Sequence, residues 1–423
     1  MAAAPPATDL TEDGARALDA VDPLASYRAR FLLPPAADGR PKVYLAGQSL
    51  GAQPVTTRAA VEAQLDAWAR LGVDGHFDRN GWYELDDQLQ AATARLVGAR
   101  PTEVATLDTL TINLHLLLAS FFRPAGRRTA ILIDTPTFPS DRYAVESHLR
   151  LHGLDPASDL IVVGPRDGEA TVRTEDIEGA VREHRDRLAL ALLAGVNYAT
   201  GQVLDIARLT EAIHAAGALA GWDLAHAAGN IPLALHDADV DFAAWCTYKY
   251  LNGGPGSVGQ LYIHERFATD PSTPRLAGWW GNDPTTRFEM TDTFRPSPDA
   301  QAWRVSNPPI LSLVPVAVSL AIFDEVGMAA LRVKSVALTG YLEALIETLV
   351  PDAEILTPRD PAQRGAQLSL RLPDARRRLA AIEARDVVAD FREPDIIRFA
   401  PTPLYNTYVD AWRAARTLGD TPA

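Results

Sequence analysis

The sequence predicts an α/β protein in which a large domain with a mostly parallel sheet is followed by a smaller C-terminal α+β domain. At 423 residues, the chain is longer than one hydrophobic core usually organises. Beyond residue 105, short runs that are apolar throughout alternate with longer amphipathic runs, which is typical of parallel strands buried on both faces. With 47% hydrophobic and 22% charged residues, the composition is that of an ordinary globular protein.

The first part of the chain is predicted to be an N-terminal segment, residues 1–55. Residues 1–40 are rich in alanine, proline and aspartate, so we expect a loose arm with one short helix around 11–20. A helical pattern follows at 56–100, and the glycine-bearing stretch at 72–84 interrupts it with a loop.

The large domain is predicted to span residues 56–310. Its candidate strands are the apolar runs at 128–134, 160–164, 188–196, 217–226, 240–250 and 259–265. Asp205 can cap a helix in which Ile206, Leu209 and Ile213 recur at helical spacing, so two of these strands and this helix should form a βαβ unit. After the prolines at 308 and 309, residues 311–423 are predicted to form the small domain, with long helices and strands at 355–358, 367–372 and 396–401.

Composition also narrows the class of partner. The formal net charge of −14 opposes binding to nucleic acid, because that affinity comes mainly from basic residues that neutralise phosphates. No apolar run reaches the roughly 18 residues that a membrane span needs, and the alanine-rich start does not resemble a signal peptide, so we expect a cytoplasmic protein. The single cysteine, Cys246, has no CxxC or HxH neighbour and is expected to be a reduced, buried thiol.

Lysine is unusually scarce, which limits the candidates for lysine chemistry to Lys42, Lys249 and Lys334. Lys249 is predicted to end an apolar strand and to enter a glycine-rich turn, where a buried amine is readily neutral and can attack an aldehyde. Asp223 ends the neighbouring strand 26 residues earlier and can pair with a protonated pyridine nitrogen. A lone lysine in such a place is more often solvated, and a lone aspartate more often caps a helix. Together, Lys249 and Asp223 indicate a site for pyridoxal phosphate. Lys42 and Lys334 are expected to form solvated salt bridges or to pack their stems.

The phosphate of such a cofactor needs hydrogen-bond donors, which a helix N-terminus supplies. Thr111 stands at the start of the apolar helix LTINLHLLLASFF, although Thr109 or Thr111 could equally be a simple cap. Phe138, on a turn-rich loop, could stack on the pyridine ring or belong to the core. A metal is not expected, because His115, His214 and His226 lack ligand spacing.

Nine motifs in collinear order, over roughly residues 40–410, resemble those of the kynureninases, a family of fold-type-I pyridoxal-phosphate enzymes of the class-V aminotransferase type. They are YLAGQSLGAQP, LTINLHLLLASFF, FPSDRY, GVNYATGQVLDI, DLAHAAGN, WCTYKYLNGGPG, GWWGN, RVSNPPI and IRFAPTPLYN. The resemblance implies hydrolysis of the Cβ–Cγ bond of kynurenine or 3-hydroxykynurenine, which yields alanine and anthranilate or 3-hydroxyanthranilate.

The resemblance also implies a role for each matching residue. Lys249 would carry the cofactor as a Schiff base, Asp223 would pair with the pyridine nitrogen, and Tyr248 would lie near the phosphate as a proton donor. The other cofactor contacts would be Leu110, Thr111, Phe138, Ser140, Asp141 and His226, with Trp279 and Asn307 reaching in from the neighbouring subunit of a homodimer. The contacts to the amino-acid substrate would be Ser49, His76, Trp280, Ser306 and Asn307 around the aryl group and Arg398 on the carboxylate.

Two positions depart from the usual family pattern. Ala194 stands where a hydroxyl residue is common, and Gln48 stands where asparagine is usual. The missing hydroxyl would weaken cofactor affinity by about 1 kcal/mol.

Several alternatives stay open at this stage. Another enzyme of the same fold, an aminotransferase or a cysteine desulfurase, is a rival, although Cys246 lies in an apolar run and should be inert. A non-catalytic relative is the rival from a different class. His76 with Asn307 suggests a 3-hydroxylated ring, and the sequence leaves open whether the pathway is tryptophan breakdown, NAD synthesis or formation of a specialised product.

Overall fold

The computed structural model of the chain describes residues 9–78 and 81–421. The helices are α1 Glu12–Ala20, α2 Thr57–Leu71, α3 Gln90–Val97, α4 Leu110–Phe121, α5 Pro139–Leu151, α6 Pro156–Asp159, α7 Thr174–Glu183, α8 Ile206–Ala215, α9 Glu265–Ala268, α10 Ile310–Val326, α11 Met328–Leu349, α12 Ala375–Glu383 and α13 Tyr408–Gly419. The strands are β1 Phe31–Leu32, β2 Val43–Tyr44, β3 Gln53–Pro54, β4 Val104–Thr106, β5 Ala130–Asp134, β6 Leu160–Val163, β7 Leu188–Ala194, β8 Leu219–Asp223, β9 Phe242–Trp245, β10 Gln260–Ile263, β11 Glu354–Ile355, β12 Leu368–Arg371, β13 Val387–Val388, β14 Asp390–Arg392 and β15 Ile396–Phe399.

A seven-stranded sheet organises the large part of the chain, in the order β4-β10-β9-β8-β7-β5-β6. The strands from β9 to β6 are parallel, and β10 runs antiparallel to both of its neighbours. Along β5, Leu132 packs into the core on one face of the sheet while Ile131 and Ile133 pack into the core on the other. Burial on both faces therefore explains the uninterrupted apolar runs, and the predicted α/β class is confirmed.

The predicted βαβ unit is also confirmed. Asp205 accepts a hydrogen bond from the backbone N–H of Arg208 and so caps α8, which connects the parallel strands β7 and β8. The loop predicted at 72–84 lies between α2 and α3 and includes residues 79 and 80, which are outside the described residues.

A smaller, antiparallel sheet in the order β11-β12-β15-β14 supports the C-terminal part. Its core contains residues of α11 and α13, but also Ala15 of α1 and Val43 and Leu45 near β2. Helix α10, by contrast, packs Leu313 and Leu320 into the core of the seven-stranded sheet. The predicted boundary between residues 310 and 311 stays a prediction.

The short helix predicted around residues 11–20 is confirmed as α1, but the expectation that the arm is loose is wrong from residue 9 onward. Asp19 in α1 accepts hydrogen bonds from the backbone N–H groups of Tyr408 and Val409, which begin α13. Lys334 Nζ lies 2.7 Å from Asp22 Oδ2, and both side chains are buried, so the expectation of a solvated Lys334 is also wrong. These contacts fix the N-terminal segment to the C-terminal core because they satisfy buried polar groups at both ends.

Within the described residues, no single helix has the length and apolar character to cross a membrane. Helices α10 and α11 meet at a bend of 84° and reach the necessary length and apolar composition only when the two helices are taken together.

Candidate active site

The carboxyl ends of the parallel strands surround a cavity of about 280 Å³. Asp223 is the last residue of β8, as predicted. Lys249 does not end a strand, because β9 stops at Trp245 and the lysine lies in the turn that follows. This turn brings Lys249 into the same cavity as Asp223, at the sheet edge where α/β proteins bind ligands.

Lys249 is almost fully buried and has a histidine as its neighbour. Its Nζ lies 3.1 Å from Nε2 of His226 and 5.8 Å from the ring centres of Phe138 and Tyr248. Burial, and secondly the Lys249 charge, hold the pKa of His226 well below its usual value. The imidazole is therefore neutral, and Nε2 can accept a hydrogen bond from the lysine amine.

Two neighbouring carboxyl groups, those of Asp141 and Asp223, also line the cavity. Asp223 Oδ1 accepts a hydrogen bond of 2.7 Å from the backbone N–H of Ala225. Burial raises the pKa of Asp141 well above its ordinary value, and the neighbouring Asp223 carboxylate raises it further. Burial and the close carboxyl neighbour thus favour the protonated form of Asp141.

Helix α4 points its N-terminus at the cavity. Thr109 is the N-cap residue, but its side chain makes no capping hydrogen bond, and Thr109, Leu110 and Thr111 all line the cavity. The simple-cap alternative for Thr109 is therefore not observed. The backbone N–H groups at the start of α4 and the positive end of its dipole form a place for an anion.

The predicted residues fall into three groups. The first, which lines the cavity of this chain, contains Leu110, Thr111, Phe138, Ser140, Asp141, Asp223, His226, Tyr248 and Lys249. Ala194, one of the two departures from the family pattern, lines it as well. Tyr198 also lines the cavity, and its ring packs edge-on against Phe138 at 5.3 Å; the sequence marked the loop from Asn197 to Gln202 but not this side chain.

The second group surrounds Arg398, which has a fully buried side chain. Its Nη1 donates to the carbonyl oxygen of Tyr198 at 2.6 Å, so the arginine lies directly behind a residue of the cavity wall. Its Nη2 donates to Ser49 Oγ at 3.1 Å and to the carboxylate of Asp390, a residue that the sequence did not single out. Ser49 and Arg398 are thus brought together, although neither is among the residues that line the cavity.

The third group lies apart from the cavity of this chain. His76 stacks on Tyr83 with ring centres 4.5 Å apart, and Tyr83 contacts Trp280 at 5.0 Å. Trp280 is fully buried and donates from Nε1 to Asp86, so in this conformation its ring cannot touch a ligand. The other members, Trp279, Ser306 and Asn307, are exposed to solvent.

Two other candidate groups, Lys42 and Cys246, do not line this cavity. Lys42 Nζ pairs with Asp386 at 3.7 Å near the surface. Cys246 is a buried free thiol, and burial raises its pKa, which makes it a poor nucleophile.

One cluster that could hold a metal ion, Glu103 with His236 and His264, was not found from the sequence. Two of its members already accept hydrogen bonds within the protein: Glu103 from the backbone N–H of Arg100, and His264 Nδ1 from the backbone N–H of Arg266.

Comparison with solved structures shows the fold. The cysteine desulfurase CsdA from Escherichia coli superimposes with a TM-score of 0.74 at 16% identity, covering 93% of this chain and 96% of that chain. A cystine C–S lyase, in complex with its product cysteine persulfide, gives a TM-score of 0.72 at 18% identity, covering 89% of this chain and 97% of that chain.

Comparison with known sequences shows the family. The kynureninase C-terminal domain family matches residues 331–418. The kynureninase of Salinispora tropica is 54% identical over 419 residues, which cover 97% of each chain. That of Koribacter versatilis is 50% identical over 416 residues, 98% of each chain. At this identity and coverage, the chain belongs to the kynureninase family.

Proposed function

We propose that the chain is a pyridoxal-phosphate enzyme that hydrolyses the Cβ–Cγ bond of kynurenine or a ring-substituted kynurenine to an anthranilate and alanine. The observation that carries the proposal is the single cavity that holds Lys249, Asp223 and the uncapped start of α4. An amine, a carboxylate and a set of anion-binding N–H groups are the three functions that this cofactor requires of a protein.

The residues fit the cofactor one by one. Lys249 would hold its aldehyde carbon, Asp223 its ring nitrogen, and the start of α4 its phosphate, with Phe138 and His226 against the ring. His226 Nδ1 is buried and has no hydrogen-bond partner among the described residues, as expected where a bound group would supply one. The cavity of about 280 Å³ is close to the lower end of ligand-pocket volumes, about 300 Å³.

When bound, pyridoxal phosphate supplies an aldehyde that condenses with amines and a ring that accepts electrons. The freed amine of Lys249 would remove and return protons at the substrate, and His226 would hold that amine in place. Burial raises the pKa of Tyr248, so its phenol stays protonated and can act as a proton donor. Arg398 would bind the substrate carboxylate, and Ser49 would support it.

The test follows the absorbance of the cofactor and the fluorescence of the aryl product. Wild type, K249A and K42A are each supplied with pyridoxal phosphate and then with kynurenine or 3-hydroxykynurenine. We expect a visible band and product release for wild type and K42A, whose lysine lies near the surface, and neither for K249A. A band without product would move the function to another reaction of this cofactor, and no band in wild type would refute the proposal.

We also propose that the enzyme is a homodimer whose subunits share active sites. Phe77, Trp279, Phe288 and Met290 are exposed by 65%, 39%, 51% and 74%, an apolar surface that a partner subunit would bury. Asn307 is likewise exposed and would reach the partner's cavity. If so, mixing two inactive variants, K249A and N307A, should restore about a quarter of wild-type activity, because half of the dimers are mixed and each then contains one intact site. No recovery after subunit exchange would contradict the shared site.

The ring preference and the location stay predictions. If His76 and Asn307 hydrogen-bond a phenol, kcat/KM should be higher for 3-hydroxykynurenine than for kynurenine, and equal values would exclude that preference. A cytoplasmic location is expected from composition and can be checked by cell fractionation.

A further inference from the structure

Arg398 has a close partner that binding a substrate carboxylate does not require. Strands β14 and β15 pair antiparallel, and their register places Asp390 directly opposite Arg398. Side chains that are directly opposite on one face of a sheet lie within contact distance. The Asp390 carboxylate accordingly accepts a hydrogen bond from Nη2 of Arg398.

The carboxylate of Asp390 is held from three sides. One oxygen, Oδ2, accepts from Arg398 Nη2 and from the Ser49 hydroxyl, and Oδ1 accepts from Nη1 of Arg392 at 2.7 Å. Ser49 Oγ also accepts from Arg398 Nη2 at 3.1 Å, so the hydroxyl links the two charged groups. The guanidinium plane of Arg398 is therefore set by Asp390, Ser49 and the carbonyl oxygen of Tyr198.

Two features of this cluster indicate that it can bind an anion. The guanidinium groups of Arg392 and Arg398 share the one carboxylate of Asp390. One positive charge is therefore uncompensated next to the fully buried side chain of Arg398. In addition, Nε of Arg398 is buried and has no hydrogen-bond partner among the described residues. An unpaired buried N–H of a charged group is expensive unless a ligand supplies an acceptor.

The cluster lies close to the reacting groups. Tyr198, whose carbonyl oxygen holds Arg398, lines the cavity of Lys249. After burial and Lys249, the charges of Arg398 and Arg392 are the next causes that lower the pKa of His226. An anion bound at Arg398 would thus lie beside the cavity, where a substrate amino group meets Lys249.

We propose that Asp390 is a positioning residue which, supported by Arg392, fixes Arg398 and sets the cluster to a single positive charge that matches one substrate carboxylate. The inference rests on the proposed function, because it takes Arg398 to be the group that binds this carboxylate. It assigns to Asp390 and Arg392 the discrimination between an amino acid and the corresponding amine without a carboxylate.

The test is a rapid-mixing absorbance titration of the cofactor-loaded enzyme with two ligands, read before the first turnover. They are kynurenine and kynuramine, which is kynurenine without its α-carboxylate. For D390N we expect the apparent Kd of kynurenine to rise roughly 10-fold or more, the usual loss for a charge-assisted hydrogen bond, and that of kynuramine to change less than about two-fold. In steady-state kinetics, KM for kynurenine should rise more than kcat falls.

A double-mutant cycle separates positioning from a general structural effect. If Asp390 acts through Arg398, D390N should add less than about two-fold to the loss already caused by R398M. The matched control is D395N, which makes the same substitution in the turn between β14 and β15. Asp395 forms an exposed ion pair 3.6 Å from Arg371, and D395N should leave both titrations unchanged. R392Q is a second variant, at a more exposed side chain, in case D390N fails to fold. It should weaken the binding of kynurenine and leave the binding of kynuramine unchanged.

Three outcomes would overturn the inference. They are an equal loss for the two ligands in both D390N and R392Q, full additivity with R398M, and tighter binding of kynurenine by D390N. The last would mean that Asp390 competes with the substrate for Arg398. The titration needs no cleavage, so a failure of the proposed function appears separately, as a wild-type enzyme with no cofactor band or no aryl product.

Discussion

Replacing Lys334 by methionine should destabilise the protein measurably, although this lysine does not line the cavity of the active site. Lys334 Nζ lies 2.7 Å from Asp22, with side-chain exposures of only 5% and 2%. Removing one partner of a buried ion pair leaves an uncompensated charge, which costs about 3–5 kcal/mol. A chain of 423 residues unfolds with an entropy of about 0.9 kcal/mol per kelvin, so the Tm should fall by at least about 3 °C.

Scanning calorimetry of three variants tests this reasoning. The double variant D22N/K334M should recover most of the lost Tm, because the buried charge is removed while the amide oxygen can still accept from the N–H of Leu24, as Asp22 does. The surface pair of Arg58 and Glu62, exposed by 79% and 58%, provides the control: R58M should shift the Tm by less than about 1 °C. A K334M variant as stable as R58M, or a double variant as unstable as K334M, would refute the argument.

Three further predictions concern Asp134, Gly51 and Cys246. Burial raises the pKa of Asp134 to about 6 from 3.8, so its protonated form stabilises the fold at low pH and this stability is lost between about pH 4 and 6. In urea titrations, the free energy of unfolding of wild type should fall by about 3 kcal/mol relative to that of D134N as the pH rises over this range. If the two free energies change with pH in parallel, the raised pKa is contradicted. A Cβ added at Gly51 would lie 2.3 Å from the carbonyl oxygen of Lys249, so G51A should lose the cofactor band, whereas G179A, with nothing within 4 Å, should keep it. Cys246 should resist Ellman's reagent in the native enzyme and react only after unfolding, and rapid native labelling would show that its burial is not maintained.

The features that the sequence predicted are those with local signals. The apolar runs around Leu132 and Leu192 indicate strands because burial on both faces leaves no room for polar residues. Lys249 and Asp223 were recognisable because each follows or ends such a run, and the ends of parallel strands meet at one edge of a sheet. The direction of β10 was not predictable, since an antiparallel strand at this position is just as apolar.

The features that were missed depend on contacts between distant parts of the chain. Nothing near Asp390 in the sequence indicates its ion pair, because the pairing follows from the register of two short strands. Tyr198 lines the cavity because of the conformation of its loop, which the sequence does not indicate. The short helix around residues 11–20 was predicted and is α1, but its attachment was missed for the same reason. Nothing near Asp19 in the sequence indicates that it accepts hydrogen bonds from the N–H groups at the start of α13, almost 400 residues later.

The position of the N-terminal segment has a consequence for how the protein is made. Strand β2 pairs with β13, and Ala15, Val43 and Leu45 complete a core whose other members come from residues 338–418. During synthesis, this core cannot close until nearly the whole chain has left the ribosome, whereas the parallel sheet can assemble earlier. A fragment that begins at residue 331 would therefore expose an unfilled apolar face, and deletion of the first 45 residues should cause aggregation of the newly made chain rather than a milder loss of activity.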